Sequence, residues 1–347
     1  QQAANIWYED ACTTLKELGM HRTASDACLF IGNGVMALMH VDDFQILSPS
    51  KSKIDWLING MRKKYNIKTV ETNLFLGLHI ISKDPEDIKL SQEHYSREKL
   101  QGHGLQQAKS VKYPLDRLYD YSDEKPCKQR YGLLNKIIGE LQHLANHTRP
   151  DINHAVNHLA RLLQNPSSEH VTAAKHIWRY IAGPIDQGLV YKRLDNMNLE
   201  VYSDSDFAGD PSTSRSTSGS LIKICGAPAV WRSRLQKEVV LSSTDAEYLA
   251  LTETTREVSW LRNLLNELHQ AGFLAQETKK VLIHVDNQSA ISLVRNHTNS
   301  RRSRHVSLRS HYCREQHETG KIEVEYTNTK EQLADGLTKP MSPNRIL

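Results

Sequence analysis

Four acidic residues in the C-terminal part of the chain stand where acids are unusual. Asp204 falls inside a strand pattern, where a carboxylate is disfavoured, and Asp286 directly follows an apolar, β-branched run. Glu247 lies near the apolar side of a predicted helix, and Asp335 opens the turn of a short one. Clustered carboxylates repel one another and lose hydration, and hard divalent cations such as Mg²⁺ compensate both effects. Two such ions, roughly 4 Å apart, can promote phosphodiester cleavage, so a two-metal hydrolytic site is one interpretation.

Each acid also has an ordinary structural interpretation. Glu247 has capping-box spacing with Thr244, and Asp286 could cap the helix that follows it. Asp204 could form a turn, and Asp335 could be a surface acid. The four structural roles would have to occur together, which favours the metal-binding interpretation.

The elements that must position these acids are predicted over residues 199–337. Three sequential strands favour an antiparallel meander, and the later crossovers add parallel strands. The result is a mixed sheet with helices packed on it. The predicted elements are strands 199–207, 219–225 and 229–241, a helix 244–270, a strand 281–285, helices 287–295 and 306–319, a strand 321–326 and a short helix 331–337.

The upstream residues fall into two regions of different pattern. Residues 1–110 mix a helical start with short apolar runs, which indicates an α+β piece. Residues 111–198 carry long helical patterns broken by proline and predict a small helical bundle. The patterns are a helix at 6–18, apolar runs at 35–41 and 74–81, and helices at 131–145, 152–163 and 170–181.

Composition excludes several classes of protein. The 347 residues are 39 % hydrophobic and 24 % charged, as in soluble proteins with two or three domains. No apolar run approaches the roughly 18 residues of a membrane span, and the N-terminus has no signal pattern. The five cysteines are odd in number and lack CxxC pairs, which favours reduced thiols in a cytosolic or nuclear protein.

A basic segment separates two of the acids. The net charge of +4 is too small to indicate a class of binding partner. Its distribution is more informative, because no acidic residue lies between Asp286 and Glu315. Arginine presents a flat fork of donors that suits phosphate, although a merely solvated face is the alternative. The arginines of this window are Arg295, Arg301, Arg302, Arg304, Arg309 and Arg314.

Five spaced motifs give the acids a specific context. They are YSDSDFAGD at 202–210, RSTSG at 215–219, LSSTDAEYLAL at 241–251, DNQSAI at 286–291 and QLADGLTKP at 332–340. Together they resemble the ribonuclease H domain of copia-type LTR retrotransposon Pol. The resemblance implies cleavage of RNA in RNA–DNA hybrids with two Mg²⁺ ions, or Mn²⁺ in their place.

The same resemblance assigns roles to named residues. It places metal ligation on Asp204, Glu247, Asp286 and Asp335, with Asp206 and Asp210 as weaker candidates. One ion would be held by Asp204 and Asp335, and the other by Asp204, Glu247 and Asp286. No histidine follows Asp335 closely, where many ribonucleases H have one. The expected nucleic-acid contacts are Arg215, Ser216, Arg301, Arg302, Arg304 and His305.

The resemblance extends upstream to a reverse transcriptase. The run VMALMHVDD at 35–43 resembles the palm strand-turn-strand, with Asp42 and Asp43 as remnant polymerase metal ligands. FLGL at 75–78 resembles the following primer-contacting hairpin, and 111–198 the thumb and connection. The chain starts after the fingers and the first palm strand, so no DNA synthesis is expected from this chain alone.

The expected whole is a multidomain α+β and α/β chain. It comprises a truncated polymerase palm (1–110), a helical thumb and connection (111–198), a ribonuclease H-like mixed five-stranded sheet with helices (199–341) and a tail (342–347). The expected partner is an RNA–DNA hybrid, with a homodimer or another Pol chain left open and no membrane. Virus-like particles in the cytoplasm, or the nucleus, are the expected locations. A catalytically silent nucleic-acid-binding remnant and a subunit that completes a polymerase remain alternatives.

Overall fold

Helices and strands follow the sequence patterning over most of the chain. The computed structural model describes residues 2–70, 73–84, 87–120, 125, 127–193, 197, 199–296 and 307–340. Contacts group the chain into two units: Gln1–Phe75 with Val258–Lys279, and Leu76–Glu257 with Lys280–Leu347. The three-part division drawn from the sequence stays a prediction.

The first unit packs helices against a four-stranded antiparallel sheet in the order β1-β2-β3-β4. The last part of a long helix, from Val258 onward, joins it through two side chains. The indole of Trp260 donates to the carbonyl of Ser25 at 2.9 Å, and the Glu267 carboxylate accepts from the N–H of Ala24 at 2.6 Å. Its elements are α1 (Gln2–Glu17), β1 (His21–Arg22), β2 (Leu29–Gly32), β3 (Val35–His40), β4 (Asp43–Leu47), α2 (Lys51–Arg62) and β5 (Leu74–Phe75).

The second unit begins with a small sheet and a helical layer. Strands β6 (Leu78–Asp84), β7 (Asp87–Ser91) and β8 (Leu189–Lys192) pair antiparallel. The helices bury leucine and isoleucine at helical spacing in one shared core, with Trp178 at 0 % exposure. They are α3 (Glu93–Gly102), α4 (Lys128–His147), α5 (Asn153–Arg161) and α6 (Ser168–Ile181), with short 3-10 turns at Pro150–Ile152 and Leu162–Gln164.

The rest of the second unit is a mixed five-stranded sheet in the order β11-β10-β9-β12-β13. The first three strands form an antiparallel meander, while β12 runs parallel to β9 and to β13. The predicted order of elements is therefore confirmed. They are β9 (Leu199–Asp206), β10 (Thr217–Ile224), β11 (Ala227–Leu235), α7 (Ser243–Gln270), β12 (Val281–Val285), α8 (Gln288–Arg295), α9 (Ser307–Glu318), β13 (Ile322–Tyr326) and a 3-10 helix (Leu333–Leu337).

Helix α5 connects this sheet to the helical layer. The side chain of Asn157 donates to the carbonyl of Ser233 on β11 at 3.1 Å, and Trp231 of the same strand donates to the carbonyl of Ala145 at 2.7 Å. One backbone carbonyl of the edge strand β11 is thus paired with a side chain of α5. Within the described ranges, no helix combines the length and apolar character needed to cross a membrane.

A buried ion pair lies at the turn between α4 and α5. Arg149 and Asp151 have side chains 3 % and 1 % exposed, and the guanidinium contacts both carboxylate oxygens at 2.7 to 3.2 Å. The hydroxyl of Tyr180 donates to the same carboxylate at 2.8 Å. Such a pair is costly to desolvate, and removing one partner strands the other charge.

Two histidines on α5 are buried and uncharged. Burial, together with the positive charge of Arg161, lowers the pKa of His154 to about 3 and that of His158 to about 4. Nε2 of His158 accepts the backbone N–H of Tyr119 at 2.8 Å, which requires an unprotonated nitrogen. The fold therefore selects the neutral imidazoles.

Replacing Arg149 by methionine should lower the free energy of unfolding by about 3–5 kcal/mol, because the buried Asp151 carboxylate loses its counter-charge. Chemical denaturation at pH 7 measures this loss. The matched control is Arg117→Met, which removes an exposed pair with Glu169 (59 % and 66 % exposed side chains) and should cost far less, because solvent screens that pair. Equal losses in the two variants would contradict the role given to the buried pair.

Acid should destabilise the protein through the α5 histidines. Both pKa values are lower in the folded state than the unfolded value of about 6.5. The contribution of these histidines to the free energy of unfolding is therefore complete above pH 6.5 and is lost as the pH falls toward 4. Each histidine should account for about 2 kcal/mol between pH 7 and 5. Denaturation curves at both pH values test this with His158→Gln, whose amide oxygen can still accept the Tyr119 N–H. A pH dependence unchanged in this variant would exclude His158 as a source.

Candidate active site

Asp204 and Asp286 are brought level by the parallel pairing of β9 and β12. Tyr202 lies opposite His284 in this pair, so the residues two positions further along each strand direction come side by side. Asp204 is 5 % exposed and Asp286 is half-buried just beyond the last residue of β12. Both carboxylates therefore lie at the same carboxyl edge of the two strands.

Glu247 reaches this edge from helix α7. Its side chain is buried, and its Oε2 atom has no hydrogen-bond partner. Burial, then the negative charges of Asp204 and Asp286, raises the pKa of Glu247 to about 9. Burial likewise raises the pKa of Asp204, although a hydrogen bond from Thr338 opposes the shift. The site thus confines more negative charge than its surroundings stabilise.

The three carboxylates form one group. Asp204, Glu247 and Asp286 each offer an oxygen, and these atoms all lie within 4.8 Å of one another. In the part of the chain that the structure describes, no other three histidine, cysteine or acidic side chains meet so closely. We call Asp204, Glu247 and Asp286 the acidic trio.

The capping alternatives for these acids are wrong, because neighbouring residues take those roles. The hydroxyl of Ser242 accepts the backbone N–H of Asp245 at 3.1 Å, so α7 begins without help from Glu247. The side chain of Asn287 accepts from the N–H of Ala290 at 3.0 Å and caps α8 in place of Asp286. The trio acids therefore do not cap these helices, although the hydroxyl of Thr329 donates to Oδ2 of Asp286 at 2.8 Å.

The other two alternatives fail on position. Asp204 lies inside β9 and forms no turn, and Asp335 is 3 % exposed, which excludes a surface acid. The trio does not include Asp335, however. Its Oδ1 atom pairs with Nζ of Lys339 at 2.5 Å, four residues along the chain. The structure therefore joins three of the four predicted acids and pairs the fourth with a lysine.

The segment that carries Asp335 is tied to the sheet by side chains. Gln332 caps the 3-10 helix through its side-chain oxygen, and its Nε2 donates to the carbonyl of Ser203 on β9 at 2.9 Å. Oγ1 of Thr338 lies 2.7 Å from Oδ2 of Asp204. Gly219 is the partner of Asp204 on β10, and a Cβ there would lie 2.8 Å from the carbonyl oxygen of Ala334. The absence of a side chain at 219 lets the segment lie on the strand.

Asp206 and Asp210, the other two acids of the first motif, lie at and just beyond the end of β9. Asp206 is half-buried at the end of β9, and burial raises its pKa. Asp210 is in the turn after β9, where it accepts from Thr213 and pairs with Arg161 at 3.0 Å. Its carboxylate therefore holds the turn and is not part of the trio.

The predicted nucleic-acid contacts are only partly described. Arg215 is partly exposed, whereas Ser216 is 1 % exposed and its hydroxyl accepts the N–H of Ala208 at 3.1 Å. The position of Ser216 therefore gives it a structural role in the turn. The other predicted contacts, Arg301, Arg302, Arg304 and His305, lie outside the described residues.

Asp42 and Asp43 lie at the tip of the β3–β4 hairpin. His40 pairs with Asp43 across the hairpin, and both aspartates are exposed. The strand-turn-strand shape expected from the sequence is present, and the indole of Trp7 fixes the tip by donating to the carbonyl of Val41 at 2.6 Å. A metal-binding role for this pair stays a prediction.

Comparison with known proteins places the chain among mobile-element polyproteins. It is 34 % identical over 353 residues to the retrovirus-related Pol polyprotein from transposon RE1 of Arabidopsis thaliana, covering 99 % of this chain and 23 % of that protein. It is 33 % identical to the corresponding polyprotein from transposon TNT 1-94 of Nicotiana tabacum, covering 100 % of this chain and 27 % of that protein. The chain belongs to the retrovirus-related Pol polyproteins of copia- and Ty-type transposons.

The match covers only part of each relative. The chain spans 23 to 27 % of the length of those Pol polyproteins, so it corresponds to a part of them. The solved structure of LC11-RNase H1, isolated from compost, is similar over 41 % of this chain and 92 % of its own, with 16 % identity and a TM-score of 0.31. A score this low does not establish a shared fold over the chain. No family model matches the sequence.

Sequence reasoning on this Pol chain missed several residues that build the site. Thr338 and Lys339 stand inside a motif that drew attention to Asp335 alone, and Gln332 opens the same motif. Gly219 ends the RSTSG motif, where its small size was the available signal. Gln332, Gly219 and Thr338 act through contacts with residues more than a hundred positions away, which spacing along the chain does not reveal. Lys339 lies only four residues from Asp335, and that spacing was a signal available in the sequence.

Substituting Gly219 by alanine should destabilise the segment that carries Asp335. The added Cβ would lie 2.6 Å from Cγ2 of Thr338 and 2.8 Å from a backbone oxygen, so the 3-10 helix has to shift. We expect a loss of about 1–3 kcal/mol in unfolding free energy and faster amide exchange over 333–338. The control is Ser220→Ala, on the opposite face of β10. Unchanged exchange in Gly219→Ala would contradict this packing role.

Proposed function

We propose that this Pol chain is a divalent-cation-dependent nuclease that hydrolyses the RNA strand of RNA–DNA hybrids. The observation that carries the proposal is the acidic trio, in which three carboxylates converge and the buried Oε2 of Glu247 lacks a partner. Membership of the Pol family and the mixed five-stranded sheet support the same activity. They leave the cation and the substrate open to test.

The donor set suits a hard cation. All three groups of the trio are carboxylates, which favour Mg²⁺ or Mn²⁺ over softer metals, and no sulfur or imidazole joins them. When bound, divalent ions supply charge that activates water and stabilises the leaving oxygen. The chain's own contribution is to hold the carboxylates in place: β9 and β12 fix Asp204 and Asp286, and α7 delivers Glu247.

The position of Asp335 divides the proposed ligands into two sets. The trio is the set assigned to one cation, and Asp335 with Asp204 is the set assigned to the other. Thr338 contacts Asp204 and follows Asp335 in the same turn, so a single short segment orients both acids of the second set. We infer that this segment controls whether Asp204 and Asp335 together can bind the second cation.

Recognition of a hybrid would rely on backbone and 2′-hydroxyl contacts, with little sequence preference. Arg215 is the described candidate for a phosphate contact beside the β9–β10 turn. Arg301, Arg302, Arg304 and His305 are proposed for the same task on the strength of the basic window alone.

Cleavage of a labelled RNA–DNA hybrid should require Mg²⁺ and stop in EDTA, while single-stranded RNA and duplex DNA stay intact. Asp204→Asn should lower the cleavage rate by on the order of 10³-fold, because it removes an acid shared by both proposed sets. Hybrid binding, measured by a gel shift, should persist.

The control is Asp245→Asn on the same helix as Glu247, which removes a carboxylate outside the trio and should keep its activity. Equal cleavage by Asp204→Asn and the unsubstituted chain would refute the metal assignment. Binding without any cleavage would instead favour a silent nucleic-acid-binding protein.

A further inference from the structure

Lys339 pairs directly with one of the acids of the proposed metal site. Its Nζ lies 2.5 Å from Oδ1 of Asp335, and Asp335 is the predicted ligand that the trio does not contain. The acid proposed for the second cation alone is thus held by an ammonium group.

The influence of Lys339 extends beyond its direct partner. Its positive charge acts against burial at three other acids, lowering the pKa that Asp204, Asp206 and Glu247 would otherwise have. The positive charge of Lys339 therefore favours the ionised form of acids other than its direct partner.

The two partners of this ion pair differ in exposure. The side chain of Asp335 is 5 % exposed, whereas that of Lys339 is 45 % exposed. The acid is fixed inside the fold, and the lysine extends over it from solvent on a flexible four-carbon stem. An ammonium group with this access can leave and return without any change in the sheet.

Two arrangements of positive charge can offset the acids of the site. The trio and Asp335 together carry four negative charges when ionised, which two divalent ions would match. One divalent ion at the trio and Lys339 at Asp335 would leave a single negative charge. The chain therefore supplies from its own sequence a cation for the second set.

We propose that Lys339 is a built-in competitor for the second divalent cation, so that Asp335 becomes a ligand only when Lys339 moves away. This inference rests on the proposed function. It makes Lys339 a positioning residue: it sets the affinity of the second cation relative to the first and holds Asp335 in place until that cation arrives.

Binding of Mn²⁺ without nucleic acid tests the proposal directly. The full chain is titrated with Mn²⁺, and free Mn²⁺ is followed by electron paramagnetic resonance. The unsubstituted chain should show one tighter and one weaker class of ion. In Lys339→Met, which keeps the apolar stem and removes the charge, the weaker class should tighten about tenfold, as expected for loss of one adjacent positive charge.

Two matched variants separate charge from structure. Lys339→Arg keeps the charge and should follow the unsubstituted chain. Lys330→Met removes an exposed lysine from the loop before the 3-10 helix and should also leave the titration unchanged. Circular dichroism checks that all variants fold alike.

The possible results separate the competitor role of Lys339 from the proposed nuclease function on which it rests. If the unsubstituted chain binds Mn²⁺ and the Lys339→Met titration coincides with it, the competitor role is refuted and the nuclease proposal stands. A Lys330→Met shift as large as that of Lys339→Met would also refute it, since any nearby charge would then suffice. Absence of Mn²⁺ binding in every chain would overturn the proposed function itself.

Discussion

The repulsion among buried carboxylates is the constraint on which the rest of this site depends. Asp204 and Glu247 are largely removed from water, and Asp286 adds a third charge within a few ångströms. Such a cluster opposes folding unless rigid elements hold it and positive charge offsets it. Strand pairing provides the rigidity, and Lys339 provides part of the positive charge. The high pKa of Glu247 shows that the compensation from the chain's own groups is incomplete.

Rigidity comes from contacts that cross large distances in sequence. Gln332 bonds to a β9 carbonyl 129 positions away, and Thr338 reaches Asp204 across 134 positions. At the β11 edge of the sheet, Asn157 of α5 donates to the carbonyl of Ser233. The helical layer and the sheet therefore share contacts within one unit.

Local sequence patterns predicted the sheet region well. The strand at 281–285 and the helix at 244–270 agree with β12 and α7 to within a residue, because β-branched runs and apolar helical spacing are strong signals. The predicted strand at 229–241 ends early, at Leu235, since Gln236 turns inward to bond to the carbonyl of Ala246. Upstream, the short strands β1, β2, β7 and β8 were missed, because two to five residues give too little periodicity to detect. Strand β4 was expected as the second strand of the strand-turn-strand, and it pairs with β3.

The site itself was harder to derive because spacing identifies acids but not their partners. All four acids stand close to a helix start, where a carboxylate ordinarily serves as a cap, or at a strand end. Sequence alone could not separate capping from metal binding. The structure separates them through three neighbours: Ser242, Asn287 and Gln332 cap the three helices that adjoin Glu247, Asp286 and Asp335. The acids therefore do not act as the caps of these helices, although Glu247 accepts a backbone hydrogen bond from Ser205. Because separate residues cap the helices, the carboxylates of the acidic trio can approach one another.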